Sequence, residues 1–317
     1  MSCQRTIGDA ASRRVTVAAC LASLILAVSP APAESQRIAL EARLSNRTWD
    51  LSRAALPTDT VGGGAALTRA LAWRAVRPGV QLSELELRAG SLGLPVQAVL
   101  LRVDPHRVSF SLQLRTASNG MTGAWRVDSM PADAVFGMNA GQFKETGPWG
   151  WLLLDGETRR DAARAPLAAS VGIDSAGRLR WIPSGSEGVA RGLRFGFQSF
   201  PRLLEHGRVP PILRDTHLVD AGHRDARLML AELGDGSVLF VLTRFTGLGA
   251  AAERVPIGLT TPESLALVLA LGAREAVMLD GGISGQLLVR DSAGLTTGWR
   301  GMRSVPLGLV AHSAGAH

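Results

Sequence analysis

The segment that most constrains this chain runs from Ala276 to Leu279 and on through Asp280, Gly281, Gly282, Ile283, Ser284 and Gly285. Its apolar part has strand length and no polar alternation, so both faces of the strand are expected to be buried. A carboxylate and two glycines end it. The glycines permit a tight turn and the close approach of another backbone or of a ligand. A carboxylate at the carboxyl end of a buried strand lies where open α/β sheets place their ligand sites. The same residues also suit a plain Asp-Gly turn that caps a strand. This segment alone leaves both readings open.

Short apolar runs between turn signals predict strands at 96–103, 108–114, 134–138, 151–154, 178–182 and 194–199. The runs 228–233 and 238–243 flank Gly234-Asp235-Gly236 and read as a hairpin. A helix is expected from Thr260 or Thr261, with Pro262 in its first turn and Glu263 at the positive end of the dipole. Residues 265–271 are apolar almost all round, which suits a helix buried between layers, and Gly272 stops it. Strand, helix-bearing connection and the Ala276–Leu279 strand make a crossover unit. The expected class is therefore α/β in the broad, mixed α+β sense: mixed sheets with a buried crossover helix in a single large domain.

The first residues read as a leader. Arg13 and Arg14 precede an apolar run from Val15 to Val28, which leads into Ala31-Pro32-Ala33, the layout of a cleaved secretory signal. That run falls short of the ~20 residues a membrane span needs, and no second segment is long and apolar enough. Ser12-Arg13-Arg14 leaves the general and twin-arginine export routes both open. The expected divisions are a signal peptide over 1–33, a polar lead-in punctuated by Pro and Gly over 34–72, and a domain over 73–312. The protein is expected to be exported, periplasmic or secreted. Cys3 and Cys20 both lie in the leader, so the mature chain has neither a disulfide nor a cysteine metal site. The chain carries a net charge of +7. Its cations are nearly all arginines, scattered and not interleaved with aromatics, which argues against nucleic acid as a partner.

Three further stretches carry chemistry. Asn139 ends the apolar run that begins at Phe136 and is followed by Ala140, Gly141, Gln142 and Phe143. Its amide offers a donor and an acceptor for orienting a ligand, or it bonds backbone in a turn. Gln198 ends another strand, where ligand binding and structural use are both open. His223, Arg224, Asp225, Ala226 and Arg227 precede the hairpin as an anion clamp, or as a surface loop paired with carboxylates. Templates for metals and nucleophiles fail: there is no His-x-x-x-His, no Gly-x-Ser-x-Gly and no phosphate-loop lysine. Asp280 alone does not define a cation site, so no metal or cofactor is expected, with a structural calcium left open. Ser284 has no base near it in sequence and reads as a turn residue.

Taken in order, these stretches resemble the phosphodiester glycosidase family. The resemblance rests on Asn139 to Phe143, Gln198 to Gly207, Arg227 before the hairpin, and Leu279 to Ser284 after the helix, and it spans about residues 73–312. It implies hydrolysis of a sugar 1-phosphodiester at the anomeric C–O bond. A phosphodiester leaves as a phosphomonoester anion, so the protonating acid of ordinary glycosidases matters less. The site must instead supply positive charge at the phosphate and a carboxylate near the developing oxocarbenium. The resemblance implies Asp280, Arg227 and Asn139 as catalytic residues, with Asp280 at the sugar and Arg227 at the phosphate. It places Gln198, Gly141, Gly281, Gly282, Ser284 and His223 against a sugar-phosphate or polysaccharide substrate. Three positions depart from the family pattern: Met278, Ala140 and Ile283. They leave open the sugar, and also a catalytically silent envelope module that binds polysaccharide. Oligomeric state is not legible.

Overall fold

The computed structural model describes residues 38–44, 47–52, 65–115, 123–189, 191–214, 219–247 and 255–314. The expected leader, 1–33, lies outside them. Strands dominate. A nine-stranded sheet runs in the order 202–204, 273–279, 228–233, 238–245, 94–103, 80–89, 40–44 and 47–50, with 74–77 pairing a second time on 80–89. One five-stranded sheet has the order 157–160, 152–154, 193–199, 169–174, 179–182, and another the order 296–299, 287–290, 136–139, 307–313, 108–114.

Every neighbouring pair in these sheets is antiparallel. This corrects the expectation of mixed α/β sheets. The crossover is real, but Leu228–Leu233 inserts between the two strands it joins, Val238–Phe245 and Ala273–Leu279. Those two run parallel but do not pair with each other; each ladders with the antiparallel strand between them on one side and with a further antiparallel strand, 94–103 or 202–204, on the other. A crossover from sequence fixes relative direction, not adjacency.

The central strands 228–233, 238–245 and 273–279 are buried along nearly their whole length, and successive side chains point to opposite faces, so the large sheet has an apolar surface on each side. One side, with Leu228, Leu230, Phe240, Leu242, Val277 and Leu279, packs against both five-stranded sheets. Phe110, Phe136 and Phe240 meet there with ring centroids 5.5–6.0 Å apart. The opposite side, with Met229, Val241, Ala276 and Met278, packs against the helix Thr261–Ala270. That helix is buried nearly all round and is capped by Thr260, with Glu263 closing the capping box. A short helix, Ala65–Ala70, joins it through Thr68 Oγ1 donating to the Leu271 carbonyl at 2.6 Å.

Sheet and core reach back into the stretch that composition reads as a lead-in. Leu40–Leu44 alternates buried and exposed residues and pairs on the strand Val80–Ala89, and Leu67 is buried.

Register places the functional turn. Leu228 stands opposite both Leu279 and Leu242, so Asp280 emerges beside Arg227. The next strand of the chain, Leu287–Arg290, belongs to the third sheet and pairs with Phe136–Asn139, Leu287 opposite Met138. Residues 280–286 thus bridge two sheets, and their neighbours come from both.

Candidate active site

The bridge is held by backbone contacts that only glycine allows. A Cβ on Gly281 would lie 2.4 Å from the Ala226 carbonyl oxygen. Gly282 has φ +57°, and a Cβ there would lie 2.8 Å from Asp225 Oδ2. The Gly282 amide donates to the Ala226 carbonyl at 2.6 Å. Of the two approaches open to these glycines, another backbone or a ligand, the structure shows that of the 225–227 backbone. Gly141 is likewise a packing glycine, where a Cβ would meet the Gln198 carbonyl oxygen at 2.4 Å.

Asn139 is fully buried and spans both ends of the bridge. Its Nδ2 donates to the Asp280 carbonyl, and its Oδ1 accepts from the Gln286 amide at 3.1 Å. The side chain fixes where Asp280 stands, and both its polar atoms are used in doing so. In this arrangement the Asn139 amide bonds the two ends of the bridge. Gln198 is also spent on the protein. Its Oε1 accepts from the Trp151 and Ala163 amides at 3.1 and 2.8 Å, while Nε2 donates to the Ala163 carbonyl and to Ser170 Oγ. A substrate-binding role for Gln198 does not agree with this engagement: the strand-end amide pins the 151–163 segment.

Asp280 carries the unusual electrostatics. Burial pushes its carboxyl up from 3.8 to about 6, and Asp225 adds to the rise, while a hydrogen bond from Ser284 and the charge of Arg303 oppose it. Its Oδ2 is shielded from solvent with no hydrogen-bond partner among the described residues. Asp225 Oδ1 is in the same condition, and burial raises the Asp225 carboxyl as well. Two desolvated carboxylates with raised pKa values thus stand on either side of one glycine turn, which marks it as a candidate functional site.

The cations divide unexpectedly. Arg227 lies next to the bridge, with its Cα 3.2 Å from where a Gly281 Cβ would be. Its guanidinium turns away, however, donating from Nε to the Leu259 carbonyl at 2.8 Å and from Nη2 to the His223 carbonyl at 2.6 Å. Its charge acts on Asp225. His223 is exposed, with Nε2 3.8 Å from Asp225 Oδ2. Arg224 makes a two-pronged pair with buried Glu263 at 2.7 and 2.8 Å, tying this loop to the helix cap.

The arginine facing Asp280 is Arg303. Its Nε donates to Ser284 Oγ at 2.7 Å, and its guanidinium lies 4.7 Å from the Phe143 ring centroid. Ser284, fully buried, relays that contact to Asp280. Both Nη groups of Arg303 lack a hydrogen-bond partner among the described residues.

Sequence reasoning does not single out Asp225 or Arg303. Asp225 is visible inside the His223–Arg227 segment, where it reads only as a partner for arginines. Arg303 lies in a loop with no periodic signal. No group of three His, Cys, Asp or Glu side chains suited to a metal comes together among the described residues.

No curated protein matches the chain. Among solved structures, the catalytic domain of zebrafish N-acetylglucosamine-1-phosphodiester alpha-N-acetylglucosaminidase superposes with a TM-score of 0.56 at 15% identity, over 75% of this chain and 85% of that one. A hypothetical protein from Synechocystis superposes with a TM-score of 0.52 at 13% identity, over 76% of this chain. The present chain spans 63% of the Synechocystis protein's length. At these identities the likeness is one of fold. The phosphodiester glycosidase family matches residues 132–312, a span that includes Asn139, Asp225, Asp280, Ser284 and Arg303. That span is more than half of the sequence, and the chain belongs to the phosphodiester glycosidase family.

Proposed function

We propose that the protein is a hydrolase that cleaves the anomeric C–O bond of a sugar 1-phosphodiester, exported to act on a glycan or envelope polymer. The observation that carries this reading is the desolvated Asp280 carboxyl, held near pH 6 on a turn fixed by Asn139 and faced by Arg303. In its ionised form Asp280 stabilises positive charge as the anomeric carbon loses the phosphate. Arg303 takes the phosphate oxygens through its two Nη groups, the task that sequence reasoning gives to Arg227. The charge of Arg227 instead favours the ionised form of the second carboxylate against its burial, and Asp225 in that form orients and deprotonates the attacking water. Bond changes balance simply: the C–O bond breaks with its electron pair on the phosphomonoester, and water supplies the new hydroxyl and a proton.

The test is reducing-sugar release from a glycosyl 1-phosphodiester by wild type, Asp280→Asn and Arg303→Gln. Wild-type turnover, a fall of at least about 10³-fold in Asp280→Asn, and a rise in KM in Arg303→Gln support the assignment. Binding of the compound without turnover by wild type contradicts it and favours a silent polysaccharide-binding module.

A further inference from the structure

Two large apolar side chains stand in solvent at the mouth of this site. Ile283 is 38% exposed and Met302 55% exposed. Single exposed apolar residues are ordinary, but adjacent ones at a ligand site are not. These two are neighbours, since the Met302 amide donates to the Ile283 carbonyl at 2.7 Å. Each directly precedes one member of the polar relay: Ile283 precedes Ser284, and Met302 precedes Arg303. Gly301 keeps the two loops in contact, with room for no Cβ: one would lie 2.7 Å from the Ser284 carbonyl oxygen. A very narrow crevice continues from this point, lined by Leu242 and Val255 beside Ile283 and Met302 but also by Thr243, Arg244 and Arg300. Phe143 flanks Arg303 on another side. The nearby cation Arg300 is already neutralised by a two-pronged pair with Asp128.

The result is an apolar shelf beside Arg303, whose two Nη groups have no hydrogen-bond partner among the described residues. That pairing matches the junction of a phosphate with a hydrocarbon chain. We propose that the alcohol on the far side of the phosphate is apolar, an alkyl or isoprenoid chain lying on Ile283 and Met302 while Arg303 holds the phosphate. This rests on the reading above, that the turn binds a sugar phosphodiester. A polar sugar alcohol in that position would keep its hydroxyls in water and gain little from Ile283 and Met302, whereas an alkyl chain is stabilised by covering them.

The experiment compares calorimetric binding of methyl phosphate and n-octyl phosphate to the full chain, below the micelle concentration. Covering two methylenes is worth about tenfold in affinity, so octyl phosphate is expected to bind at least about tenfold more tightly. The double variant Ile283→Ser/Met302→Ser should lose that preference and bind methyl phosphate as wild type does. Arg303→Gln should weaken both ligands. Equal affinity for the two phosphates, no binding of either, or a preference that survives the double variant overturns the proposal. Matched methyl and octyl N-acetylglucosaminyl 1-phosphodiesters separate the two readings. Octyl-selective binding without any hydrolysis refutes the catalytic assignment alone. Hydrolysis of both esters at the same kcat/KM refutes the apolar alcohol alone.

Discussion

Replacing Asp280 by Asn should strengthen the fold while abolishing turnover. Burial holds the Asp280 carboxyl at about 6 in the folded chain, against an ordinary 3.8. Between those two values the folded protein keeps a proton that the unfolded chain has released, so stability falls as pH rises through that window and levels off above it. At about 1.4 kcal/mol per pH unit, ionising this group in the folded state costs about 3 kcal/mol. Asparagine has the shape of the neutral acid and never ionises. The variant should therefore gain about 2–3 kcal/mol near pH 7.5 and almost nothing near pH 4. For a chain of this size the neutral-pH gain corresponds to a Tm increase of about 5 °C. Calorimetric melts of both proteins at the two pH values read this out. A variant that melts at or below wild type near pH 7.5, or one whose gain is the same at both pH values, refutes the desolvation argument.

The same carboxyl sets the pH profile: kcat/KM should rise through about pH 6 and then level, because the ionised form is the working one. A profile that falls above pH 6 would mean that Asp280 acts as an acid. Asn139→Ala leaves the Asp280 carbonyl and the Gln286 amide unpaired in a buried place, so a loss of about 2–4 kcal/mol is expected in urea unfolding. Glu263→Gln removes the charge opposite half-buried Arg224 and should cost about 3 kcal/mol by the same measurement. A loss below about 1 kcal/mol would show that solvent already screens that pair.

The strands and helix flanking the site are legible because their signals are local. Gly-Asp-Gly between two apolar runs gives the hairpin, and Thr260, Pro262 and Glu263 give the helix start within one residue. The turn at Asp280 is also legible, because a fully apolar strand that ends on Asp-Gly-Gly has few places to go. What stays hidden depends on three-dimensional pairing. That Leu228–Leu233 inserts between two parallel strands is a matter of sheet order, which no local pattern encodes. The strand Ala169–Asp174 gives no clear signal because Ser170 and Gly172 break its apolar run, although five of its six residues are buried. At the candidate site, residue type marks segments that the fold brings together around Asp280 but not the direction of their side chains. Arg227 sits beside the turn, yet its guanidinium bonds the protein's own backbone, and the Gln198 amide is spent on the 151–163 segment and Ser170. Arg303 reaches Ser284 from a loop whose path only the fold reveals.

Hydrolysis in ¹⁸O-labelled water separates the two possible sites of bond cleavage within a single turnover. If Asp280 and Asp225 work at the anomeric carbon, the label appears in the hydroxyl of the released sugar and the phosphomonoester stays unlabelled. Label in the phosphate instead would mean that the P–O bond breaks, and neither carboxylate could then have the role proposed for it.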